Sequence, residues 1–158
     1  MAKWLALSAL IVVADQASKY AVVQYFAGRP ALEVTSFLNL VLVYNTGAAF
    51  SFLSDAAGWQ RWLFIGIALV ASAWIVYLLN RYPRQRLFAL ALALVLAGAV
   101  GNVIDRVVVG SVIDFLDFHA FGWHWPAFNV ADSAITCGAA LLIWDALRPK
   151  SREEGGGV

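Results

Sequence analysis

Residues 102–133 read NVIDRVVVGSVIDFLDFHAFGWHWPAFNVADS, and this stretch connects two apolar segments that are each long enough to cross a bilayer. It holds the carboxylates of Asp105, Asp114, Asp117 and Asp132, in a chain in which only 13% of the residues are charged. Asp114 and Asp132 fall where the flanking helices are expected to reach the membrane surface. We interpret them as a catalytic pair, and the rest of the chain as a scaffold that brings them together beside lipid.

The composition is typical of an integral membrane protein. Of the 158 residues, 62% are hydrophobic, and the mean hydropathy is +0.75. A soluble domain is about half apolar and about a quarter charged, and the length leaves no room for a separate soluble domain. The net charge of +1 argues against a nucleic-acid partner. The single cysteine, Cys137, lies in the last apolar segment, and we interpret it as a small core residue away from any site.

The hydropathy pattern predicts a membrane all-α fold with four transmembrane helices and a small periplasmic β-sheet, a cradle, between helices 1 and 2. A bilayer core requires about 20 apolar residues per helix. The first apolar run is too long for a secretory signal and carries Asp15 and Lys19, so we interpret it as a retained span. The chain is expected to form a single domain (1–158), with spans at 4–26, 59–79, 87–108 and 130–147, periplasmic segments at 27–58 and 109–129, and a disordered cytoplasmic tail at 149–158.

The segment at 27–58 is polar enough to leave the membrane, and its pattern predicts the sheet. The runs at 32–35, 37–44 and 49–53 are rich in strand-forming residues, and Asn-Thr-Gly at 45–47 is a turn-type tripeptide. An exposed apolar patch of this kind marks an interaction surface, although a plain hairpin loop is the alternative. The apolar side chains expected to face lipid or substrate are those of Leu38, Leu40, Leu42, Phe50, Phe52 and Leu53.

Two charged residues lie inside the first span. Asp15 is near its middle and Lys19 follows one turn later, so both fall on one face of the helix. An isolated charge at that depth costs about 2.5–3.5 kcal/mol, and such residues usually face the protein interior and pair. The pair is either an internal ion pair that joins helix 1 to its neighbours or a direct part of the site.

Small residues recur every four positions in the third span. Such spacing lets helices approach closely, so we expect span 3 to be the central helix. The two small-residue stripes end in Asn102, Asp105 and Arg106. We therefore expect these three residues to lie close together near the outer surface. The stripes comprise Ala93, Ala97 and Gly101 on one side and Gly98 on the other.

The distribution of basic residues predicts the orientation. Arg29 and Arg61 lie on one side of the membrane and a larger set lies on the other. By the positive-inside rule, both termini and the short basic loop are cytoplasmic. The end that carries Asp114 and Asp132 then faces the periplasm. The cytoplasmic set is Lys3, Arg81, Arg84, Arg86, Arg148, Lys150 and Arg152.

Several kinds of site are disfavoured by the residues present. A Ser–His or Cys–His hydrolase is disfavoured because the histidines are limited to His119 and His124 and Cys137 is remote. Asp114, Asp117 and the two histidines are close in sequence, but they lack a helical zinc-ligand pattern. We interpret the histidines as interfacial loop residues and expect neither a metal nor a cofactor.

A pair of aspartates at the membrane surface offers another chemistry. When two carboxyl groups lie within a few ångströms of each other, one keeps its proton. The ionised member can take a proton from water while the protonated member donates to the scissile carbonyl oxygen. The acid and base roles belong to the pair because it titrates as a unit. The alternatives are helix capping for Asp132, close to the N-cap residue Asn129, and solvation in a loop for Asp114.

Five motifs occur in one order along the chain, and together they resemble the bacterial lipoprotein signal peptidase (signal peptidase II) family. The resemblance covers the whole chain except its basic tail. The motifs are D-Q-x-S-K at 15–19, N-T-G-A-A-F-S at 45–51, G-N-x-x-D-R at 101–106, V-I-D-F at 112–115 and F-N-x-A-D-S at 128–133.

This resemblance implies an aspartic endopeptidase of the bacterial inner membrane. It would remove the signal peptide from diacylglyceryl-modified prolipoproteins by cutting before the lipidated cysteine of the lipobox. It implies a monomer that works beside membrane lipid without a cofactor and is inhibited by globomycin-type cyclic peptides. By the same resemblance, the catalytic residues are Asp114 and Asp132, the substrate-binding residues are Asn45, Gly47, Asn102, Asp105, Arg106 and Asn129, and the structural polar pair is Asp15 and Lys19.

Two other classes of protein remain as alternatives. A small ion or proton transporter subunit could use Asp15, Lys19, Asp105 and Arg106 as its path. That function calls for polar residues at several depths and for a repeat or a broken helix, whereas the polar residues here concentrate at one end. A structural membrane adaptor would have no use for two aspartates at helix ends.

Overall fold

The computed structural model describes residues 1–47 and 58–148. Over these residues the chain forms four helices and four strands, and each helix is long and apolar enough to cross a membrane. The prediction of four such helices and a small sheet is confirmed. In chain order the elements are α1 (Ala2–Phe26), β1 (Leu32–Thr35), β2 (Leu38–Asn45), α2 (Trp59–Arg81), α3 (Arg86–Val108), β3 (Val112–Ala120), β4 (Trp123–His124) and α4 (Val130–Leu147).

Helix α3 is the central helix of the bundle. It is the most buried of the four and packs against α1, α2 and α4. Glycines make the approach of α3 and α4 possible: a Cβ atom at Gly98 would collide with the carbonyl oxygen of Ala131, and one at Gly138 would lie 2.7 Å from the carbonyl oxygen of Ala91. The small-residue spacing in span 3 therefore does predict its position.

An apolar core cluster joins α2 and α3 at the end of the bundle opposite the sheet. Because it lies where α2 ends and α3 begins, this cluster holds the helices together far from the carboxylates. At the sheet end, hydrogen bonds and an ion pair also join the helices. The buried members of the cluster are Ile75, Leu79, Ala89, Leu92 and Leu96.

The sheet is antiparallel, with the strand order β1-β2-β3-β4. Strands β1 and β2 come from the segment between α1 and α2, as predicted. Strands β3 and β4 lie in the segment at 109–129, which we expected to be a loop, and that part of the prediction is wrong. The first four residues of β3 are all buried, so the alternation that marks a half-buried strand is missing from its sequence. The predicted run at 49–53, with Phe50, Phe52 and Leu53, and the predicted tail at 149–158 lie outside the described residues.

A β-bulge in β2 sets which side chains share a face with Asp114. Leu40 pairs with Leu116, but after the bulge Val43 pairs with Asp114, and Asn45 pairs with Val112. Because side chains alternate along a strand, a shift of one residue moves a side chain to the opposite face. The bulge therefore brings Asn45 onto the same face of the sheet as Asp114.

Candidate active site

Asp114 lies on β3 with its side chain almost fully buried, at 1% exposure. Its two carboxylate oxygens accept hydrogen bonds from the side-chain amides of Asn45, at 3.1 Å, and Asn129, at 2.7 Å. Burial, and next to it the charge of Asp132, raise the pKa of Asp114 to about 7, although the two amide donors act in the opposite direction. The carboxyl group can therefore hold or release a proton near neutral pH.

Asp132 lies in the first turn of α4, where free backbone amides and the helix dipole favour a carboxylate. Asn129 is the N-cap of this helix, and its Oδ1 accepts a hydrogen bond of 2.8 Å from the backbone amide of Asp132. The side-chain amide of Asn102 donates to Oδ1 of Asp132, also at 2.8 Å. Each aspartate is thus held by asparagine amides, and Asn129 links the two by capping one segment and donating to the carboxylate of the other.

Both aspartates line one cavity with a volume of about 810 Å³. Asn45, Gly47, Asn102 and Arg106 line the same cavity, whereas Asn129 is fully buried behind it. The structure therefore brings together the sequence-predicted residues from β2, α3, β3 and α4. The cavity continues along α4 past Ser133 to Thr136 and Cys137.

Cys137 does not lie where the sequence analysis placed it. We expected a buried core residue remote from the site, but Cys137 is exposed and lines this cavity together with the two aspartates. Hydropathy shows that α4 is apolar but does not reveal which of its sides faces a groove. Cys137 is one turn beyond Ser133 and therefore falls on the same side of the helix.

Arg106 holds the turn that follows β2. Its Nη2 donates to the carbonyl oxygen of Gly47 at 2.9 Å, and its guanidinium carbon lies 5.0 Å from the ring centroid of Phe64. The amide of Gly47 in turn donates to Oδ1 of Asn45, at 3.0 Å. Because Nδ2 of Asn45 binds Asp114, the orientation of this amide depends on the turn that Arg106 fixes.

A buried ion cluster lies behind the cavity. Nζ of Lys19 is 2.8 Å from Oδ2 of Asp15 and 2.7 Å from Oδ2 of Asp105, and all three side chains are at most 2% exposed. Oδ1 of Asp15 accepts the backbone amide of Ala131 at 2.8 Å, and Oδ2 of Asp105 accepts the backbone amide of Ile113 at 3.1 Å. The cluster thus fixes the backbone beside both cavity aspartates.

The sequence-predicted residues fall into two groups: those that line the cavity and those that lie behind it in the ion cluster. Asp15, Lys19 and Asp105 do not line the cavity; they support residues that do. Lys19 also donates to Oδ1 of Asn102, at 3.2 Å, which leaves the amide nitrogen of Asn102 directed at Asp132. Of the two roles considered for Asp15 and Lys19, the geometry favours the internal ion pair.

Gln16 belongs to the motif at 15–19, but no role was assigned to it from the sequence. Its side-chain amide donates to Oδ1 of Asp105 at 2.9 Å, to Oδ2 of Asp15 at 3.1 Å and to the carbonyl oxygen of Gly101 at 3.2 Å. The available signal was a polar amide next to Asp15 in the middle of an apolar span. Such a group needs partners inside the protein when it lies in a membrane.

Asp117 and the two histidines form a separate cluster on β3 and β4. Nδ1 of His124 lies 2.9 Å from Asp117, and the amide of Asn39 donates to Asp117 at 3.0 Å. Desolvation raises the pKa of Asp117, but the hydrogen bonds from His124 and Asn39 outweigh it, so the pKa lies below its usual range. Across residues 1–47 and 58–148, no three His, Cys, Asp or Glu side chains are arranged to hold a metal ion.

Comparison with known proteins gives consistent results. A lipoprotein signal peptidase of Burkholderia vietnamiensis is 60% identical over 148 residues, which are 94% of this chain and 89% of that protein. A lipoprotein signal peptidase of Cupriavidus necator is 61% identical over 145 residues, 92% of this chain and 83% of that protein. A solved structure of a bacterial membrane enzyme superposes with a TM-score of 0.81 at 30% identity, covering 96% of this chain and 94% of the other.

A second solved bacterial membrane enzyme superposes with a TM-score of 0.78 at 32% identity, covering 95% of this chain and 96% of the other. The family model described as Signal peptidase (SPase) II matches residues 7–148, which include all four helices except the first few residues of α1. On this match and on the identity to its relatives, the chain belongs to the signal peptidase II family.

Proposed function

We propose that this protein is a membrane aspartic endopeptidase that removes the signal peptide from prolipoproteins, with Asp114 and Asp132 as its catalytic pair. The observation that carries the proposal is that the two carboxylates line one cavity, each held by an asparagine amide. Membership in the family supports the activity. The comparisons give no support to the alternative of an ion or proton transporter.

The chemistry follows from one shared proton. With a pKa of about 7 for Asp114 beside a second carboxylate, the pair keeps one proton up to about pH 7. The ionised carboxylate takes a proton from water as the water oxygen attacks the scissile carbonyl carbon. The protonated carboxyl group donates to the carbonyl oxygen, which gives a neutral tetrahedral diol. When the C–N bond breaks, the protonated carboxyl group donates its proton to the leaving amine. The other carboxylate takes the proton of a diol hydroxyl as the carbonyl re-forms, so the pair again holds one proton.

The shape of the cavity supports a lipid-modified substrate. The cavity begins at the carboxylates and continues past Ser133 to Thr136 and Cys137, about one helical turn (5.4 Å) deeper in the span. A diacylglyceryl cysteine could keep its acyl chains in lipid while the peptide bond before it reaches the carboxylates. Cleavage before the lipidated cysteine of a lipobox, and inhibition by a globomycin-type cyclic peptide that occupies the same cavity, are parts of this proposal.

The substrate backbone needs hydrogen-bond partners in a site that excludes water. Asn45, Asn102 and Arg106 line the cavity and carry amide and guanidinium donors at its wall. Donors fixed by other residues can bind the carbonyl groups of an extended peptide without reorganising. We assign substrate binding to these three residues and to the turn at Gly47, and support of the site to Asn129 and Asp105.

The location of the protein in the cell is part of the same proposal. The charge distribution supports cytoplasmic termini and a cavity at the periplasmic side of the bacterial inner membrane. The enzyme would work there as a monomer, because one chain supplies both carboxylates and the amides that hold them. Its partners would be membrane lipid and prolipoproteins.

The test is cleavage of a diacylglyceryl-modified prolipoprotein by the purified protein in detergent with a chelator present. Asp114→Asn and Asp132→Asn should each lower the rate by about 10²–10⁴-fold, the range that general acid–base groups contribute. Asp117→Asn is the matched control, because Asp117 lies on the same strand but outside the cavity, and it should stay near the unmodified rate. A near-normal rate in either of the first two variants contradicts the catalytic assignment. A folded protein that does not cleave contradicts the proposed substrate.

A further inference from the structure

The turn between β3 and β4 has an unusual residue at its tip. Ala120 pairs with Trp123, so Phe121 and Gly122 form a two-residue loop, and both have positive φ angles, of 51° and 80°. This geometry suits Asn-Gly or Gly-Gly, whereas the left-handed conformation costs a residue with a large side chain about 1–2 kcal/mol. The side chain of Phe121 is fully exposed, at 102%, so contacts with the described residues do not offset that cost.

The residues at 118–125, here called the aromatic hairpin, have one aromatic face and one polar face. Residues that are paired across antiparallel strands share a face. His119 pairs with His124 on one side, together with Asp117. On the other side Ala120 pairs with Trp123, and the amide of Trp125 donates to the carbonyl oxygen of Phe118, which sets these two residues opposite each other.

The aromatic face is exposed, and its exposure is greatest near the tip. Phe118 is 39% exposed, Trp125 60% and Trp123 83%. A large exposed apolar patch of this kind marks an interaction surface. The hairpin therefore presents its aromatic side chains to a partner and keeps its polar side chains on the opposite face.

This face is continuous with the surface of α4. Phe118 stacks on Phe128 with ring centroids 5.8 Å apart, and Phe128 directly precedes the N-cap of α4. Trp125 lines the same cavity as Thr136 and Cys137, which lie within the membrane-spanning part of α4. The aromatic face thus begins where the surface of a membrane-spanning helix ends.

Other exposed aromatic residues mark the level of the membrane surface at this end of the bundle. Tyr25 is 48% exposed at the end of α1, and Trp59 and Trp62 are 53% and 65% exposed at the start of α2. Guanidinium groups lie over two of these rings, Arg29 over Tyr25 and Arg61 over Trp62. Tyr and Trp at such positions sit at the headgroup level of a bilayer.

We propose that the aromatic hairpin is seated in the membrane, with Phe121, Trp123 and Trp125 at the boundary between headgroups and acyl chains of the leaflet at this end of the helices. Lipid supplies the contacts that Phe121 lacks within the described residues. The strand β3 is then attached to the membrane at its far end and to α3 at its near end. The catalytic candidate Asp114, which lies on this strand, is kept at a fixed height above the lipid.

A depth measurement tests the proposal. A bimane fluorophore is attached to a single cysteine in a Cys137→Ala background, either at Ala120→Cys on the aromatic face or at Glu33→Cys, an exposed position on β1. Each labelled protein is placed in phospholipid nanodiscs with brominated acyl chains. Quenching should be strong at position 120 and weak at position 33. Equal quenching at the two positions, or none at position 120, overturns the proposal.

A substitution at the tip separates membrane seating from folding. Asparagine tolerates the left-handed conformation, so Phe121→Asn should leave the unfolding temperature in detergent unchanged or higher. Quenching of the label at position 120 should nevertheless fall by about half or more, because the apolar side chain at the tip is lost. Unchanged quenching in a folded Phe121→Asn variant contradicts a lipid contact of Phe121. Neither readout depends on cleavage, so the result is independent of the proposed activity.

Discussion

The protonation of Asp114 makes the stability of the fold depend on pH. Burial and the neighbouring Asp132 raise its pKa to about 7 from the ordinary value of 3.8. Between these two values the folded state binds more protons than the unfolded state, so the free energy of unfolding falls as the pH rises through this window. The stabilisation is fully present below the lower value and is lost as the pH rises through the higher one.

Asp114→Asn should therefore remove a pH dependence. The difference in unfolding temperature, variant minus unmodified protein, should be larger at pH 8 than at pH 5. The reason is that the unmodified protein loses stability between these two pH values. Thermal unfolding in detergent at the two pH values measures the effect. Glu33→Gln controls for the removal of an exposed carboxylate. A difference between Asp114→Asn and the unmodified protein that does not change with pH contradicts the raised pKa.

The two functions of Asn129 can be separated by substitution. Serine keeps an oxygen that can accept from the amide of Asp132, but it loses the nitrogen that donates to Asp114. Asn129→Ala should lose about 1 kcal/mol of stability through the missing cap, and Asn129→Ser should lose less. Both should cleave about tenfold more slowly or worse, since a hydrogen bond to a charged group contributes about 1.5–3 kcal/mol.

Unfolding experiments and cleavage assays on the two Asn129 variants separate these effects. If Asn129→Ser keeps a normal rate, the donor to Asp114 has no part in the chemistry. If both variants lose the same stability, capping is not what distinguishes them.

Among the elements, the contact between α3 and α4 determines whether the two carboxylates face one cavity. Asn102 is on α3 and Asp132 is on α4, so a change in the spacing of these helices breaks their 2.8 Å hydrogen bond. Gly98→Ala and Gly138→Ala should each destabilise the protein by about 1–3 kcal/mol, because the added methyl group meets backbone atoms of the neighbouring helix. They should also reduce cleavage.

Gly66→Ala on α2 is the matched control for these two variants. A Cβ atom at Gly66 meets no atom within 4 Å, so this change should be neutral or should stabilise the helix by up to about 1 kcal/mol. Thermal unfolding in detergent ranks the three variants. A loss at Gly66 as large as that at Gly98 would indicate a general intolerance of helix substitutions, in contradiction of close packing between α3 and α4.

The helices could be predicted from sequence to a greater extent than the sheet. The start of α4 was visible because Asn129 is a good N-cap and Asp132 follows in the first turn. The strand β3 was not, because burial of both its faces leaves no alternation in Val112, Ile113, Asp114 and Phe115. The bulge that brings Asn45 to Asp114 depends on pairing between distant segments, and the local sequence of β2 does not specify it.

At the scale of the whole molecule, the orientation in the membrane can be tested directly. In a Cys137→Ala background, Arg84→Cys lies in the short segment between α2 and α3, and Glu33→Cys lies on β1, at the opposite end of the bundle. If the termini are cytoplasmic, a membrane-impermeant maleimide added to cells with a permeabilised outer membrane should label position 33 and not position 84. Labelling after cell lysis confirms that both cysteines can react. The reverse pattern would invert the proposed orientation.

The residues of the site come from segments that are far apart in the chain. The sequence can therefore indicate the candidate residues but not the contacts between them. The motifs supplied Asp15, Asn102 and Asp132 as candidates, but the contacts among them join distant segments. Asp15 accepts the backbone amide of Ala131, 116 positions later in the chain. Patterns within one helix gave the pair of Asp15 and Lys19, because these residues are only one turn apart.

The hydrogen bond between Asp15 and the backbone amide of Ala131 can form only late in synthesis. Asp15 enters the membrane early in synthesis, and Lys19 on the same helix can compensate its charge at once. Asp105 is added when α3 inserts, and the amide of Ala131 arrives only with the last helix. A ribosome must therefore complete α4 before Asp114 and Asp132 can line one cavity. A nascent chain that is interrupted before α4 lacks Asp132 and one wall of the cavity.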